Sequence, residues 1–194
     1  MKLVLASQNK HKAYEIENIL GDGFSIITMD ETDARGIDII EDGETFEENA
    51  LIKARTVAEI TKMPTIADDS GICVDILDGK PGVRTARYAG ENATDDENID
   101  KLLSVLDGVP EEKRTAHFAC SIAVVFPDGT EKTFYGECQG RILTERHGAN
   151  GFGYDPIFYV PEYDMSMAEI SPETKNKISH RSRALAEMMK GLTK

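Results

Sequence analysis

Blocks of hydrophobic and polar positions along this chain predict a mixed series of strands and helices. Leu3-Val4-Leu5-Ala6 is a short apolar run suited to a buried strand. The polar segment Ser7-Gln8-Asn9-Lys10-His11-Lys12 follows, then a helical stripe of Ala13, Ile16, Ile19 and Leu20 closed by Gly21. Residues 24–28 read as a second strand and residues 37–40 as a third. Thr45 and Glu48 fit a capping box that opens a helix with Leu51, Ala54 and Ala58 in register, stopped by Met63-Pro64. On that helix Thr45, Asn49 and Lys53 recur every four residues, which predicts a polar stripe opposite the core. Residues 65–67 and 72–76 predict two short strands flanking Asp68-Asp69-Ser70-Gly71.

A second capping box, from Thr94 to Glu97, starts a helix carrying Ile99, Leu102, Leu103 and Leu106. Ala116, Phe118, Cys120, Ile122, Val124 and Phe126 alternate strictly, the clearest strand in the chain, and Asp128-Gly129 turns it into a second long strand. A glycine-rich segment leads to Ile157-Phe158-Tyr159-Val160, and Ser171-Pro172 begins a single terminal helix. Early alternation of strands and helices around a long central hairpin predicts an α/β fold with a mixed, partly antiparallel sheet flanked by helices. It reads as one domain over residues 1–194.

Charge narrows the function. The chain holds 22 Lys and Arg against 35 Asp and Glu, a formal charge of −13. That balance excludes a protein whose main task is coating nucleic acid, which needs a basic surface to displace counterions. A small phosphorylated ligand is still admitted if a few cations converge. The three cysteines are widely spaced with no C-x-x-C pair, which argues against a disulfide framework or a zinc site. No apolar run approaches the roughly 18 residues of a membrane span, and the N-terminal run is too short for a signal peptide. The expectation is a soluble cytoplasmic protein without membrane or nucleic-acid partners.

Chemistry is concentrated in a few places, each with a purely structural alternative. Residues 7–12 lie between a strand and a helix, where amide donors and lysines suit a phosphate. They serve equally as a polar cap. Asp68 and Asp69 repel unless a hard cation such as Mg²⁺ holds them, although Asp-Ser-Gly is also good turn chemistry. Glu41 brings a further carboxylate or a solvated face, and Lys53 alone is weak evidence. Gly151-Phe152-Gly153-Tyr154-Asp155-Pro156 suits a purine base, stacked on a ring and hydrogen-bonded at its edge; the aromatics would equally fill a core. On the terminal helix Arg181 occupies a position in the stripe Ile178, Leu185, Met188 and Leu192. A guanidinium there either has buried partners or snorkels to water; His180 and Lys175 nearby favour a site.

Taken in order, Ser7-x-Asn9-x-x-Lys12, Thr45-Phe46-x-Glu48-Asn49-Ala50-x-x-Lys53-Ala54, Ala67-Asp68-Asp69-Ser70-Gly71, Pro81-Gly82-x-x-x-Ala86-Arg87-Tyr88, Gly151-Phe152-Gly153-Tyr154-Asp155-Pro156 and Ser179-His180-Arg181 resemble the inosine triphosphate pyrophosphatase family. The resemblance runs from Leu3 to the terminal helix. It implies Mg²⁺-dependent hydrolysis of the non-standard purine nucleotides ITP, dITP and XTP to the monophosphate and pyrophosphate. It also implies an elongated sheet in two lobes with a central substrate cleft, and a homodimer. Ser7, Asn9, Lys12 and Lys53 would hold the triphosphate, with Gln8, Lys10 and His11 as variable loop neighbours that line the same site. Glu41 and Asp69 would place the metal, Asp69 would activate water, and Ser70 would bind substrate beside it. Phe152, Gly153, Tyr154, Asp155, Lys175, His180 and Arg181 would form the base pocket, with Arg181 donating to a 6-keto oxygen and Asp155 accepting from N1–H. The competing readings are a related pyrophosphatase of different base preference and a nucleotide-sensing module without catalysis.

Overall fold

The computed structural model describes residues 1–192. Its strands are β1 (Lys2–Leu5), β2 (Ser25–Thr28), β3 (Thr65–Val74), β4 (Thr115–Val125), β5 (Glu131–Ile142), β6 (Phe158–Val160) and β7 (Met165–Ser166). Its helices are α1 (Lys10–Leu20), α2 (Phe46–Thr61), α3 (Asp95–Val105), α4 (Pro172–Ile178) and α5 (His180–Leu192). The strands form one seven-stranded sheet in the order β2-β1-β3-β4-β5-β6-β7. β1 runs parallel to β2 and β3, whereas β6 is antiparallel to β5 and β7. This is the mixed α/β sheet that the pattern predicts.

The chain clusters into two compact units. The first holds residues 1–69, 120–136 and the segment from 181 on; the second holds 70–119 and 137–180. In the first unit alternate residues of β1, with Ala6 just after it, divide between two cores. Leu3 and Leu5 join Ile16 and Leu20 of α1 and Ala184, Leu185 and Met188 of α5. Val4 and Ala6 join Ala50, Ala54, Val57 and Ala58 of α2. The sheet is therefore covered on both faces, and each buried Leu or Ile contributes about 1.5–3 kcal/mol. In the second unit Ile72, Val74, Phe118, Ile142 and Phe158 pack under Ile99, Leu102 and Leu106.

Both capping boxes form as expected, at Thr45/Glu48 and at Thr94/Glu97. Gly21 ends α1 with φ +56°, a conformation that L side chains rarely adopt. Four local expectations fail. Residues 37–40 form no strand, and Ile40 is exposed. The two short strands around residues 68–71 are one continuous β3, because pairing within the sheet overrides the turn propensity of Asp-Ser-Gly. The terminal helix is broken at Ser179, whose φ −65° and ψ 157° are extended. Apolar spacing carried across that residue hid the break. The supposed solvent stripe of α2 faces inward, since Asn49 and Lys53 are buried beside Ala50 and Ala54.

β4 shows why strict alternation understated burial. The residues between its large apolar side chains, Ala119, Ser121 and Ala123, are small and also buried. Arg114 just before β4 is buried, and three main-chain carbonyls take up its guanidinium. It donates from Nε to the Ile142 carbonyl at 2.8 Å, from Nη1 to Leu106 at 2.8 Å and from Nη2 to Leu143 at 2.7 Å. Each carbonyl stripped of its donor costs about 1–3 kcal/mol. Arg114→Met is therefore expected to lower unfolding stability by at least about 3 kcal/mol in urea titration. A cost below about 1 kcal/mol would show that water replaces the guanidinium.

Candidate active site

Strand alternation separates the paired carboxylates. Asp68 and Asp69 are neighbours in β3, so their side chains leave opposite faces of the sheet. Asp68 meets α1 and α5. Its Oδ2 lies 3.1 Å from Lys12 Nζ and 3.0 Å from Arg181 Nη2, with Arg181 Nε at 3.3 Å. Arg181 Nη1 also pairs with Glu15. Two cations thus face two carboxylates, a balanced group in a place where each unpaired charge would cost several kcal/mol. Burial alone would raise the Asp68 carboxyl, but Lys12 and Arg181 hold it well below the usual carboxylate range.

Asp69 meets α2 instead. Lys53 Nζ lies 2.7 Å from Glu41 Oε2 and 3.3 Å from Asp69 Oδ1. Burial pulls the Lys53 ammonium down, yet Asp69, Glu41 and Asp68 outweigh it and raise it, so the lysine stays charged. Burial also pushes the Asp69 carboxyl up, against the pull of Lys53 and Lys12. One ammonium between two carboxylates leaves this group net negative. Asp69 Oδ2 is buried with no hydrogen-bond partner among the described residues, an arrangement that costs about 1–3 kcal/mol.

These features fit a hard divalent cation: oxygen donors, surplus negative charge and a buried acceptor without a donor. Among the described residues, no three His, Cys, Asp or Glu side chains gather as a ready-made cage.

The segment after β1 joins the same unit, with changed roles. Asn9 caps α1, its Oδ1 accepting from His11 N at 3.0 Å and Lys12 N at 3.2 Å. Asn9 N donates in turn to Ser7 Oγ at 3.2 Å. The amides expected to cradle an anion are therefore partly satisfied, and Lys12 and Lys53 are left as the main cationic attraction. Gln8 Nε2 donates to the Ile37 carbonyl at 3.2 Å, tying residues 37–40 to this segment. Lys10 and His11 are exposed. Ser70 is half-buried on β3, next to Asp69.

The glycine-rich segment and Lys175 form a cluster within the second unit. Lys175 Nζ lies 2.6 Å from Asp155 Oδ2 and 4.8 Å from the centre of the Phe152 ring. Phe152 N donates to the same Asp155 oxygen at 3.0 Å. Gly151 (φ +78°) is required here, because a Cβ on it would lie 2.0 Å from Asp155 Oδ2. Gly153 N donates to Asp95 at the start of α3, at 2.7 Å. His180 stacks on Phe118 with ring centres 4.9 Å apart.

Three residues expected in the base pocket have partners within the protein. Tyr154 is a core residue of this unit, its hydroxyl donating to the Thr85 carbonyl at 2.9 Å. The Asp155 carboxylate is turned onto Lys175 and the Phe152 amide. Arg181 is 1% exposed and committed to Asp68 and Glu15; it is the centre of an ion-pair group, neither snorkelling nor presented as a base-edge donor. Sequence reasoning missed Glu15 and Asp95. Glu15 lies three residues after Lys12 on α1, which was a usable signal. Asp95 reads only as a helix-start residue.

The family model described as the Ham1 family matches residues 3–191. A protein of Geobacter sulfurreducens named dITP/XTP pyrophosphatase is 53% identical, with 95% of this chain and 93% of that protein covered. One of the same name from Halalkalibacterium halodurans is 50% identical, with 97% of each covered. The solved Ham1 protein of Staphylococcus aureus superposes with a TM-score of 0.90 at 42% identity, covering 100% of this chain and 98% of that one. Motif order, fold and near-complete coverage agree: the chain belongs to the Ham1 family.

Proposed function

We propose that this chain is a nucleoside triphosphate pyrophosphatase that hydrolyses dITP, ITP and XTP to the monophosphate and pyrophosphate. Pyrophosphatase activity on dITP and XTP is what its relatives' names state. The structural observation that carries the chemistry is the buried cluster of Lys53, Glu41 and Asp69, with the bare Asp69 Oδ2. Lys12 and Lys53, assisted by Ser7 and the Asn9 Nδ2 group and flanked by Gln8, Lys10, His11 and Ser70, attract the triphosphate. Glu41 and Asp69 would hold Mg²⁺, which when bound offsets phosphate charge and polarises the phosphorus–oxygen bonds.

Asp69 accepts a proton from the attacking water at its carboxylate. The water oxygen bonds to the α-phosphorus as the bond to the bridging oxygen breaks, and pyrophosphate leaves with that electron pair. Lys12 and Lys53 stabilise the charge moving onto the leaving group. In the second unit, Phe152 offers a stacking face and Lys175 a donor suited to a 6-keto oxygen, while Gly151, Gly153, Asp155 and His180 fix the surroundings. Adenine carries an amino group where that donor points and so offers Lys175 no acceptor, which disfavours ATP.

The family resemblance also supports a homodimer. The three cysteines stand as thiols, which supports a reducing, cytoplasmic setting, and no described helix is long and apolar enough to cross a membrane. The decisive experiment is product analysis of dITP hydrolysis with Mg²⁺. Pyrophosphate in equal amount to dIMP is expected; orthophosphate as the first product would overturn the reading.

A further inference from the structure

α2 does more than carry Lys53. One turn before it, Asn49 is 1% exposed, and its amide is spent entirely on Gly43. Asn49 Oδ1 accepts from Gly43 N at 2.9 Å, and Asn49 Nδ2 donates to the Gly43 carbonyl at 3.4 Å. The next two amides are held by the same helix, since Glu48 Oε2 accepts from Glu44 N at 2.7 Å and Thr45 N at 3.1 Å. Gly43 has no room for a side chain. A Cβ there would lie 2.8 Å from Asn49 Oδ1 and 2.8 Å from Glu48 Cβ. Residues 41–45 have no strand or helix of their own. Their placement therefore depends on this clamp. Glu41, two residues before Gly43, reaches Lys53 on the helix that supplies the clamp.

We propose that Asn49 is a positioning residue for Glu41: by gripping both backbone groups of Gly43 it holds the Glu41 carboxylate against Lys53, in place to bind the divalent ion. The inference rests on the metal role of Glu41 given above. Asn49 touches neither metal nor substrate. A buried amide that satisfies a loop backbone from both sides fixes that loop more firmly than a single bond does, because slipping loses both bonds at once. Groups that orient a metal ligand in this way typically govern about 10–100-fold of metal affinity.

The test uses the full-length enzyme with Asn49→Leu, which keeps the volume without the hydrogen bonds, and Gly43→Ala, which breaks the clamp from the loop side without altering the buried face of α2. Glu41→Gln is the reference. Uptake of Mn²⁺ alone is read by electron paramagnetic resonance, and the Mg²⁺ midpoint of activity is read in parallel. Both variants should weaken Mn²⁺ uptake and raise the Mg²⁺ midpoint by about 10–100-fold, with excess Mg²⁺ restoring most of the turnover. The double variant should be little worse than either single, because both act through one clamp. Lower thermal stability with unaltered Mn²⁺ uptake would make Asn49 merely structural and overturn the proposal. Should Glu41→Gln leave Mn²⁺ uptake intact, or the wild type take up none at millimolar concentration, the metal role of Glu41 fails and the proposal with it.

Discussion

Asp69→Asn is expected to lower dITP turnover by about 10²–10⁴-fold, the usual contribution of a positioned general base. The substitution keeps the shape of the side chain and its place on β3 and removes the acceptor that takes the water proton. Lys12 and Lys53 stay in place, so nucleotide binding should persist, read by equilibrium dialysis with a non-hydrolysable dITP analogue. Loss of the cluster's negative charge would also weaken the metal. Turnover is therefore to be compared at saturating Mg²⁺, where the deficit should remain. A variant that recovers wild-type turnover there would assign Asp69 to metal binding alone. A nucleotide sensor without catalysis predicts no turnover in either protein.

Arg181→Met should have the largest effect on stability. It strands Asp68 and Glu15 in the first unit without the cation they share, and breaking one partner of a buried pair costs about 3–5 kcal/mol. Urea unfolding checks the magnitude. Combining it with Asp68→Asn should return part of the loss, because the abandoned charge is then removed. The pH dependence has a definite sign. The Asp68 carboxyl is depressed in the folded chain, so its stabilisation is present above the ordinary carboxyl value near about 4 and fades as pH falls below it. Arg181→Met should flatten that acid limb. Because its bonds go to Asp68 and Glu15, residual activity should fall by similar factors on dITP and ATP. A loss confined to dITP would return Arg181 to the base edge.

The legible parts of this molecule are those where local chemistry and tertiary structure agree. Capping boxes at Thr45 and Thr94, the Asp128-Gly129 hairpin and the alternation along β4 all announced their elements, since each is stabilised within a few residues. The failures have a common cause. Asp68-Asp69-Ser70-Gly71 looks like a turn because its partners, Lys12, Arg181 and Lys53, lie far away in sequence. Asn49 looks solvent-facing because its partner is a backbone, which leaves no trace in residue type. Tyr154 and Asp155 look alike as ligand contacts, but one fills a core and the other orients a lysine. Motif order named the residues of the candidate site; which atom faces which partner depended on strand register and helix breaks that periodicity does not encode.

Adjacent placement of Asp68 and Asp69 on an extended strand makes their division of labour a matter of parity. Each additional or missing residue in the first half of β3 would exchange the two carboxylates, sending the one that neutralises Arg181 toward Lys53 and the reactive one into the ion-pair core. Neither position would then be served, although the composition of the chain would hardly have changed. Substitutions along that stretch can be absorbed one at a time, but single-residue insertions and deletions cannot. A deletion scan of residues 65–67 should therefore abolish activity and folding together, whereas conservative substitutions over the same stretch should separate them.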